Sequence, residues 1–272
     1  MQYPWGLDFW KSGEWQAANE RIHDLEKEHG PDILNPVRSK LFASLTSVGG
    51  VSKTRVAIVG QDPYPYHGHA TGLAFSIPRE YKEFPPTLRE LYAEYKRDLG
   101  LPTPSHGDLT GWGNQGVLLW NVIPCTLNGR SLACDWPEWE YLNKELFERL
   151  STKGIVFAFL GGVARRYASL IPQTNNRVIL TSHPSPRGSL SSRLPFKGSR
   201  LFTAINNNLE DIGLERVNWR IDETPRAKVV QRPAVAGGRI LPNLTGANLG
   251  GLKGHSKPSY ARSTFELDDT PF

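Results

Sequence analysis

The chain has 272 residues, of which 39% are hydrophobic, and a net charge of +5. This length suffices for one α/β domain of roughly 200 to 220 residues with an appended segment. No run of about 18 apolar residues occurs, and the first residues lack the pattern of a secretory signal. We therefore expect an intracellular protein without a membrane span. Cys125 and Cys134 are too few for a disulfide framework or an iron–sulfur cluster, and they lack the companions of a zinc site. We expect two free thiols.

Short apolar runs alternate with amphipathic segments along the chain. The apolar runs, bounded by Gly or Pro, are typical of buried parallel strands and cover residues 55–60, 116–123, 154–162 and 176–186. The amphipathic segments favour helices and cover residues 87–100, 138–151, 163–171 and 200–213. This alternation predicts an α/β fold of three αβα layers, with a central, mostly parallel sheet of about four strands.

Polar and aromatic residues follow the ends of these predicted strands. They are Asp62, Tyr64, Phe75, Asn121 and His183. Ligands of such sheets bind beyond the carboxyl ends of the strands, so we expect these side chains at one rim. An aspartate and a histidine there suit acid–base or electrostatic chemistry, while an aromatic ring and an amide suit a flat heterocycle. Each residue alone could equally be a structural cap or a loop anchor.

Five motifs in order resemble the family 1 uracil-DNA glycosylases. They are GQDPY (60–64), GLAFS (72–76), FPPTL (84–88), HGDLTGWGNQGVLLWN (106–121) and HPSP (183–186). The resemblance covers about residues 5–219. It implies a monomeric hydrolase that flips uracil out of single- or double-stranded DNA, cleaves its glycosidic bond and leaves an abasic site for base-excision repair.

The resemblance also implies how the base is bound. Phe75 would stack on uracil, Asn121 would pair with O4 and N3, and backbone amides near Gln61 and Asp62 would hold O2. An amide matches the hydrogen-bonding edge of uracil better than that of cytosine. Tyr64 would stand against C5 and exclude the methyl group of thymine.

Two residues carry the catalysis that the resemblance implies. Asp62 would stabilise the oxocarbenium-like sugar and orient a water molecule, and His183 would act neutral, donating a hydrogen bond to the anionic O2 of the leaving uracil. Such a mechanism needs neither a metal nor an organic cofactor.

The same comparison predicts the DNA contacts. They are Pro85, Pro86, Thr87, Gly161, Gly162, Ser185, Arg187, Leu190 and Ser191. After HPSP the family continues with Leu-Ser, whereas this chain first has Arg187-Gly188-Ser189. We interpret these three residues as an insertion, which makes Leu190 the wedge that fills the gap left by the flipped base, with Arg187 as the alternative.

Other departures alter the active-site loop. The family usually reads GQDPYHGPGQAHGLAFS, whereas this chain has Pro65, Tyr66, His69 and Thr71 in place of His, Gly, Gln and His. None of these replaces a predicted pocket residue. The family's Trp-Gly-Ser segment is here Leu160-Gly161-Gly162, which lacks a hydroxyl for a phosphate contact.

The last fifth of the chain differs in composition from the rest. Residues 224–262 contain seven Lys and Arg and no Asp or Glu, and the segment lacks hydrophobic periodicity. We expect a glycosylase domain at 1–220 and a disordered basic tail at 221–272 that holds polyanions weakly or only aids solubility.

The tail ends in an acidic tip, FELDDTPF at 265–272, which resembles the terminal peptide of bacterial single-stranded-DNA-binding proteins. It could bind replication or repair proteins, fold back on the enzyme's own basic groove, or be a chance acidic end.

Two other functions remain open at this stage. The chain could be a glycosylase-fold DNA-binding or processivity subunit, against which the intact Asp62, Asn121 and His183 argue. It could also act on another base, which Tyr64 disfavours. We expect a cytoplasmic location, in a bacterial or phage-infected bacterial cell.

Overall fold

The computed structural model describes residues 4–186 and 193–221, and all of these lie in one compact unit. The helices are α1 Gly13–His29, α2 Ala43–Val48, α3 Pro86–Leu99, α4 Thr110–Gly113, α5 Glu138–Ser151, α6 Gly162–Arg165 and α7 Leu201–Asp211. The strands are β1 Leu34–Asn35, β2 Val56–Gly60, β3 Val117–Asn121, β4 Thr126–Leu127, β5 Val156–Leu160 and β6 Arg177–Thr181. Within this part of the chain, no helix combines the length and the apolar character needed to cross a bilayer.

The four predicted strands form one sheet, in the order β3-β2-β5-β6, with every neighbouring pair parallel. Successive residues of a strand face opposite sides of a sheet, and here both sides are covered. Ala57 and Val59 of β2 pack into one core, with α1 and α5, whereas Val56 and Ile58 pack into another, with α3 and α7. The predicted three-layer αβα fold is therefore confirmed.

The helices differ from the prediction at two places. Helix α1 was not predicted, because its buried stripe consists only of Trp15, Ala18 and Ile22 among many charged residues. The segment 163–171, predicted as one helix, is instead the short α6 followed by a 3-10 turn at Ala168–Leu170. Backbone hydrogen bonds tighten there from i→i−4 to i→i−3, which turns the buried Tyr167 ring onto Phe147.

Helix α3 fixes the start of α7 with two carboxylates. Glu94 accepts hydrogen bonds from the backbone N–H groups of Gly198 (2.7 Å) and Arg200 (2.9 Å), and Asp98 accepts one from Thr203 (2.8 Å). Such acceptors satisfy helix N-terminal donors that have no partner within the helix. The chain segment that follows the HPSP loop is thereby anchored to α3.

A two-stranded ribbon supports the other side of the sheet rim. β1 and β4 pair antiparallel, with Leu34 opposite Leu127 and Asn35 opposite Thr126. The ribbon leads directly into residues 128–132, a loop that reaches back over the end of β2.

Candidate active site

The end of the sheet brings Gly60 and Asn121 side by side. These residues are register partners in the β2–β3 pair, and the Val122 N–H donates to the Gly60 carbonyl (3.1 Å). A Cβ at position 60 would lie 2.7 Å from Asn121 Oδ1 and 2.8 Å from Phe75 Cζ. Only glycine therefore lets the amide and the aromatic ring approach the strand end together.

Phe75 is held in an unusual backbone conformation. Its φ is +66°, a region that residues other than glycine seldom occupy, and the residue is buried. The Tyr64 hydroxyl donates a hydrogen bond to the Phe75 carbonyl (3.0 Å), which joins these two walls of the site. Removal of Tyr64 from water raises the pKa of its hydroxyl well above the ordinary value of 10.0, so the group stays a donor.

All six predicted catalytic and uracil-binding residues line one cavity of about 140 Å³. They are Gln61, Asp62, Tyr64, Phe75, Asn121 and His183. Thr87 and Ser131 also line it. Pockets for drug-sized ligands are larger, about 300 Å³ or more, so this cavity suits a single small ring. Among residues 4–186 and 193–221, no group of three or more His, Cys, Asp and Glu side chains is arranged to hold a metal ion.

The Asp62 carboxylate is held by three donors. Oδ2 accepts from the Ser131 hydroxyl (2.6 Å) and from the Leu132 N–H (2.7 Å), and Oδ1 accepts from the Gln61 side-chain amide (3.0 Å). Sequence reasoning missed the two partners in the 128–132 loop. Their only signal was a polar stretch after β3, because the contact spans some 70 residues of chain.

His183 faces Phe75 across the site, with ring centroids 6.4 Å apart. Burial lowers the pKa of His183 below its ordinary value of 6.5, and the negative charge of Asp62 opposes this shift in smaller measure. The imidazole is therefore neutral at physiological pH. Gly161 has φ +99°, and a Cβ there would lie 3.0 Å from the His183 Cβ. Residue 161, just after β5, is therefore a glycine both because of its backbone conformation and because a side chain there would crowd His183.

The predicted DNA contacts are placed only in part. Pro85 precedes α3, Pro86 begins it and Thr87 lies at the cavity, while Gly161 and Gly162 lie at the end of β5. The Ser185 N–H donates to the His183 carbonyl (2.8 Å). Arg187, Leu190 and Ser191 lie outside the described residues.

The HGDLT part of the fourth motif, at residues 106–110, packs behind the pocket. The Gly107 carbonyl accepts from the Ile77 N–H (2.9 Å), and the Ser76 hydroxyl oxygen accepts from the Leu109 N–H (3.1 Å). His106 is buried and its carbonyl accepts from the Tyr92 hydroxyl (2.7 Å). These bonds fix the GLAFS segment and hence the Phe75 ring.

Comparison with known proteins agrees with this architecture. The profile of the uracil DNA glycosylase superfamily matches residues 47–210. A uracil-DNA glycosylase of Bacillus pumilus is 37% identical over 201 residues, which is 73% of this chain and 87% of the relative. One of Lacticaseibacillus casei is 37% identical over 225 residues, covering 79% and 96%. The crystal structure of mimivirus uracil-DNA glycosylase superposes with a TM-score of 0.70 at 22% identity, over 78% of this chain and 84% of that one, which shows the shared fold. The chain belongs to the uracil DNA glycosylase superfamily.

Proposed function

We propose that this protein hydrolyses the N-glycosidic bond of deoxyuridine in DNA, releasing free uracil and leaving an abasic site in base-excision repair. The observation that carries the proposal is the single small cavity at the sheet rim, where an amide, an aromatic ring, a carboxylate and a neutral imidazole converge. Because a base inside a duplex cannot reach such a cavity, the uridine is flipped out of the stack.

Uracil recognition follows from the rigid walls of the cavity. Phe75 stacks on the ring, Asn121 pairs with O4 and N3, and the backbone amides near Gln61 and Asp62 bind O2. Tyr64 blocks the space that the thymine methyl group needs, and its bond to the Phe75 carbonyl keeps it there.

Hydrolysis separates charge between the sugar and the base. The C1′–N1 bond breaks with its electron pair leaving on uracil, and the oxygen of a water molecule bonds to C1′ as it loses a proton. A proton is finally taken up by the uracil anion, so that neutral uracil is released. Asp62 stabilises the cationic sugar and orients that water. His183, kept neutral by burial, donates a hydrogen bond to the anionic O2.

DNA is held along the rim of the cavity. We assign this to the Pro85-Pro86-Thr87 segment, to Gly161 and Gly162, and to Ser185. Leu190, with Arg187 as the alternative, fills the gap left by the flipped base, and Ser191 contacts the backbone beside it.

A base-release assay tests the function. Single-stranded and duplex oligonucleotides carrying uracil, thymine or a 5-substituted uracil are incubated with enzyme, and the free base is quantified. We expect release of uracil only, and single-turnover rates about 100- to 1,000-fold lower for Asp62→Asn and for His183→Ala, with DNA binding retained. An intact chain that binds DNA without releasing any base would instead be a binding subunit.

We also propose a role for the acidic tip at 265–272, supported by its Asp-Asp-Thr-Pro-Phe ending. It binds, in the cytoplasm, the proteins of replication or repair that receive a similar carboxyl-terminal peptide. Deleting residues 270–272 should abolish capture of such a protein in a pull-down with purified components. Unchanged capture, together with unchanged DNA affinity at low salt, would leave the tip without a binding role.

A further inference from the structure

Three aromatic rings form a row beside the catalytic cavity. The ring centroids of Tyr66 and His69 are 5.5 Å apart, and those of His69 and Tyr81 are 4.4 Å apart. The His69 N–H donates to the Tyr66 carbonyl (3.1 Å), and a Cβ at Gly68 would lie 2.5 Å from the Tyr81 hydroxyl oxygen. The turn is thus closely fitted to Tyr81, yet the outermost ring, that of Tyr66, is 50% exposed.

The row borders an open groove that carries positive charge. Tyr66, His69, Phe84 and Pro85 line it, together with the exposed Lys82 and Arg89. Glu83 also lines the groove, so its side chains sum to one net positive charge.

The groove and the uracil cavity are lined by neighbouring residues of the chain at two points. Pro65, next to Tyr66 in the chain, lines the cavity, and so does Thr87, next to the groove residue Pro86. A nucleotide that places its base in the cavity keeps its covalent neighbours at the mouth. The groove is therefore within reach of one of these neighbours.

We propose that this groove is a second base-binding subsite, in which Tyr66 stacks on the unpaired base next to the flipped uridine while Lys82 and Arg89 contact its phosphate. The proposal rests on the proposed function. Its occupant is a DNA strand because an exposed aromatic platform flanked by cations is the usual arrangement for single-stranded nucleic acid. Stacking needs no hydrogen-bond pattern, so the subsite accepts any base. A paired base would have to give up its own pairing and stacking to enter the subsite, so the subsite favours single-stranded substrate.

The test uses single-stranded oligonucleotides with a non-hydrolysable 2′-fluorodeoxyuridine and 2-aminopurine on its 5′ or 3′ side. We expect quenching of 2-aminopurine on one side only, lost in Tyr66→Ala and retained in Tyr66→Phe. The affinity measured by fluorescence anisotropy should fall about tenfold for Tyr66→Ala on single strands and less on duplex. Lys82→Gln should weaken binding and reduce its salt dependence. Tyr141→Ala, an exposed tyrosine of α5 outside both the cavity and the groove, serves as the matched control.

The outcomes separate this inference from the proposed function. Absence of uracil release by the unaltered enzyme would contradict the proposed function. Normal release together with equal affinities for Tyr66→Ala and Tyr141→Ala would overturn the subsite alone. Equal losses for Tyr66→Ala and Tyr66→Phe would also overturn it, since the hydroxyl rather than ring stacking would then be responsible.

Discussion

The carboxylate of Asp62 is restrained before any substrate arrives. A side chain that must stabilise a short-lived cation gains from having no alternative orientation when the charge develops. The Ser131 hydroxyl and the Leu132 N–H hold one oxygen, and the Gln61 amide holds the other. Ser131 touches neither the base nor the sugar in the proposed mechanism, so it is a positioning residue.

Ser131→Ala should lower kcat about tenfold, because a hydrogen bond to a charged group contributes about 1.5 to 3 kcal/mol and the Leu132 N–H remains. Ser131→Thr, which keeps a hydroxyl, should retain most of the rate. Single-turnover measurement in an Asp62→Asn background gives the decisive control, since the alanine substitution should then cost little. Equal losses in both backgrounds would show that Ser131 acts independently of Asp62.

The lowered pKa of His183 predicts a pH dependence with a definite sign. An imidazole whose pKa lies below 6.5 stays neutral as the pH falls through 6.5 and gains its proton only in more acidic solution. Because Asp62 raises this pKa in part, Asp62→Asn should lower it further. NMR titration of the His183 ring in both proteins measures the two values directly. A value at or above 6.5 in the unaltered enzyme would contradict the lowered pKa of His183.

Helices α3 and α7 depend on each other through charge rather than through apolar packing alone. Glu94 is fully buried, and its two oxygens accept from the N–H groups of Gly198 and Arg200. The segment between the HPSP loop and α7 is also tied to the strand end, because the Ser182 N–H donates to the Leu194 carbonyl (2.7 Å). His183, to which we assign a catalytic role, thus shares its support with the start of α7.

Glu94→Gln should lower the free energy of unfolding by about 2 kcal/mol, because an amide offers one acceptor oxygen where two are used. Urea denaturation followed by tryptophan fluorescence measures the change. Glu148→Gln, at an exposed position of α5, should alter stability by less than about 0.5 kcal/mol. If the two variants were equally stable, the Glu94 contacts would not matter for the fold.

Sequence reasoning succeeded where structure follows from local pattern. Strands β2, β3, β5 and β6 are recognisable in the sequence as apolar runs. Because the carboxyl ends of parallel strands lie at one edge of the sheet, Asp62 and His183 were correctly expected at the same rim. It failed where a contact joins distant segments. The Ser131 bond to Asp62 spans 69 residues, and the Glu94 bonds to the start of α7 span more than 100. Neither contact leaves a periodicity that could be found in a single sequence.

Charge is distributed unevenly over the whole molecule. The excess of basic residues lies at 224–262, whereas the rest of the chain is close to neutral. The packed core extends through Trp219 and Ile221. We propose that the residues before 222 form a complete catalytic unit and that the tail adds electrostatic affinity for DNA.

A chain ending at Ile221 should therefore release uracil from a short oligonucleotide at the full rate when saturated. Its affinity for DNA should be lower at low salt and should vary less with salt concentration, because fewer counterions are released on binding. Titrations at several salt concentrations compare the two chains. Parallel plots of log affinity against log salt would show that the tail makes no contact with DNA.

The two thiols make it possible to measure how often the segment between them opens. Cys125 and Cys134 are free and buried, and they bracket the segment that carries Ser131. Burial and the adjacent Cys134 thiol raise the pKa of Cys125, so its sulfur stays protonated and reacts slowly. Burial also keeps a thiol-reactive reagent from reaching it. Modification then requires the segment to open first. The labelling rate without uracil reports how often the segment that carries Ser131 opens and releases the Asp62 carboxylate. The decrease of this rate in the presence of uracil reports how strongly the bound base suppresses the opening.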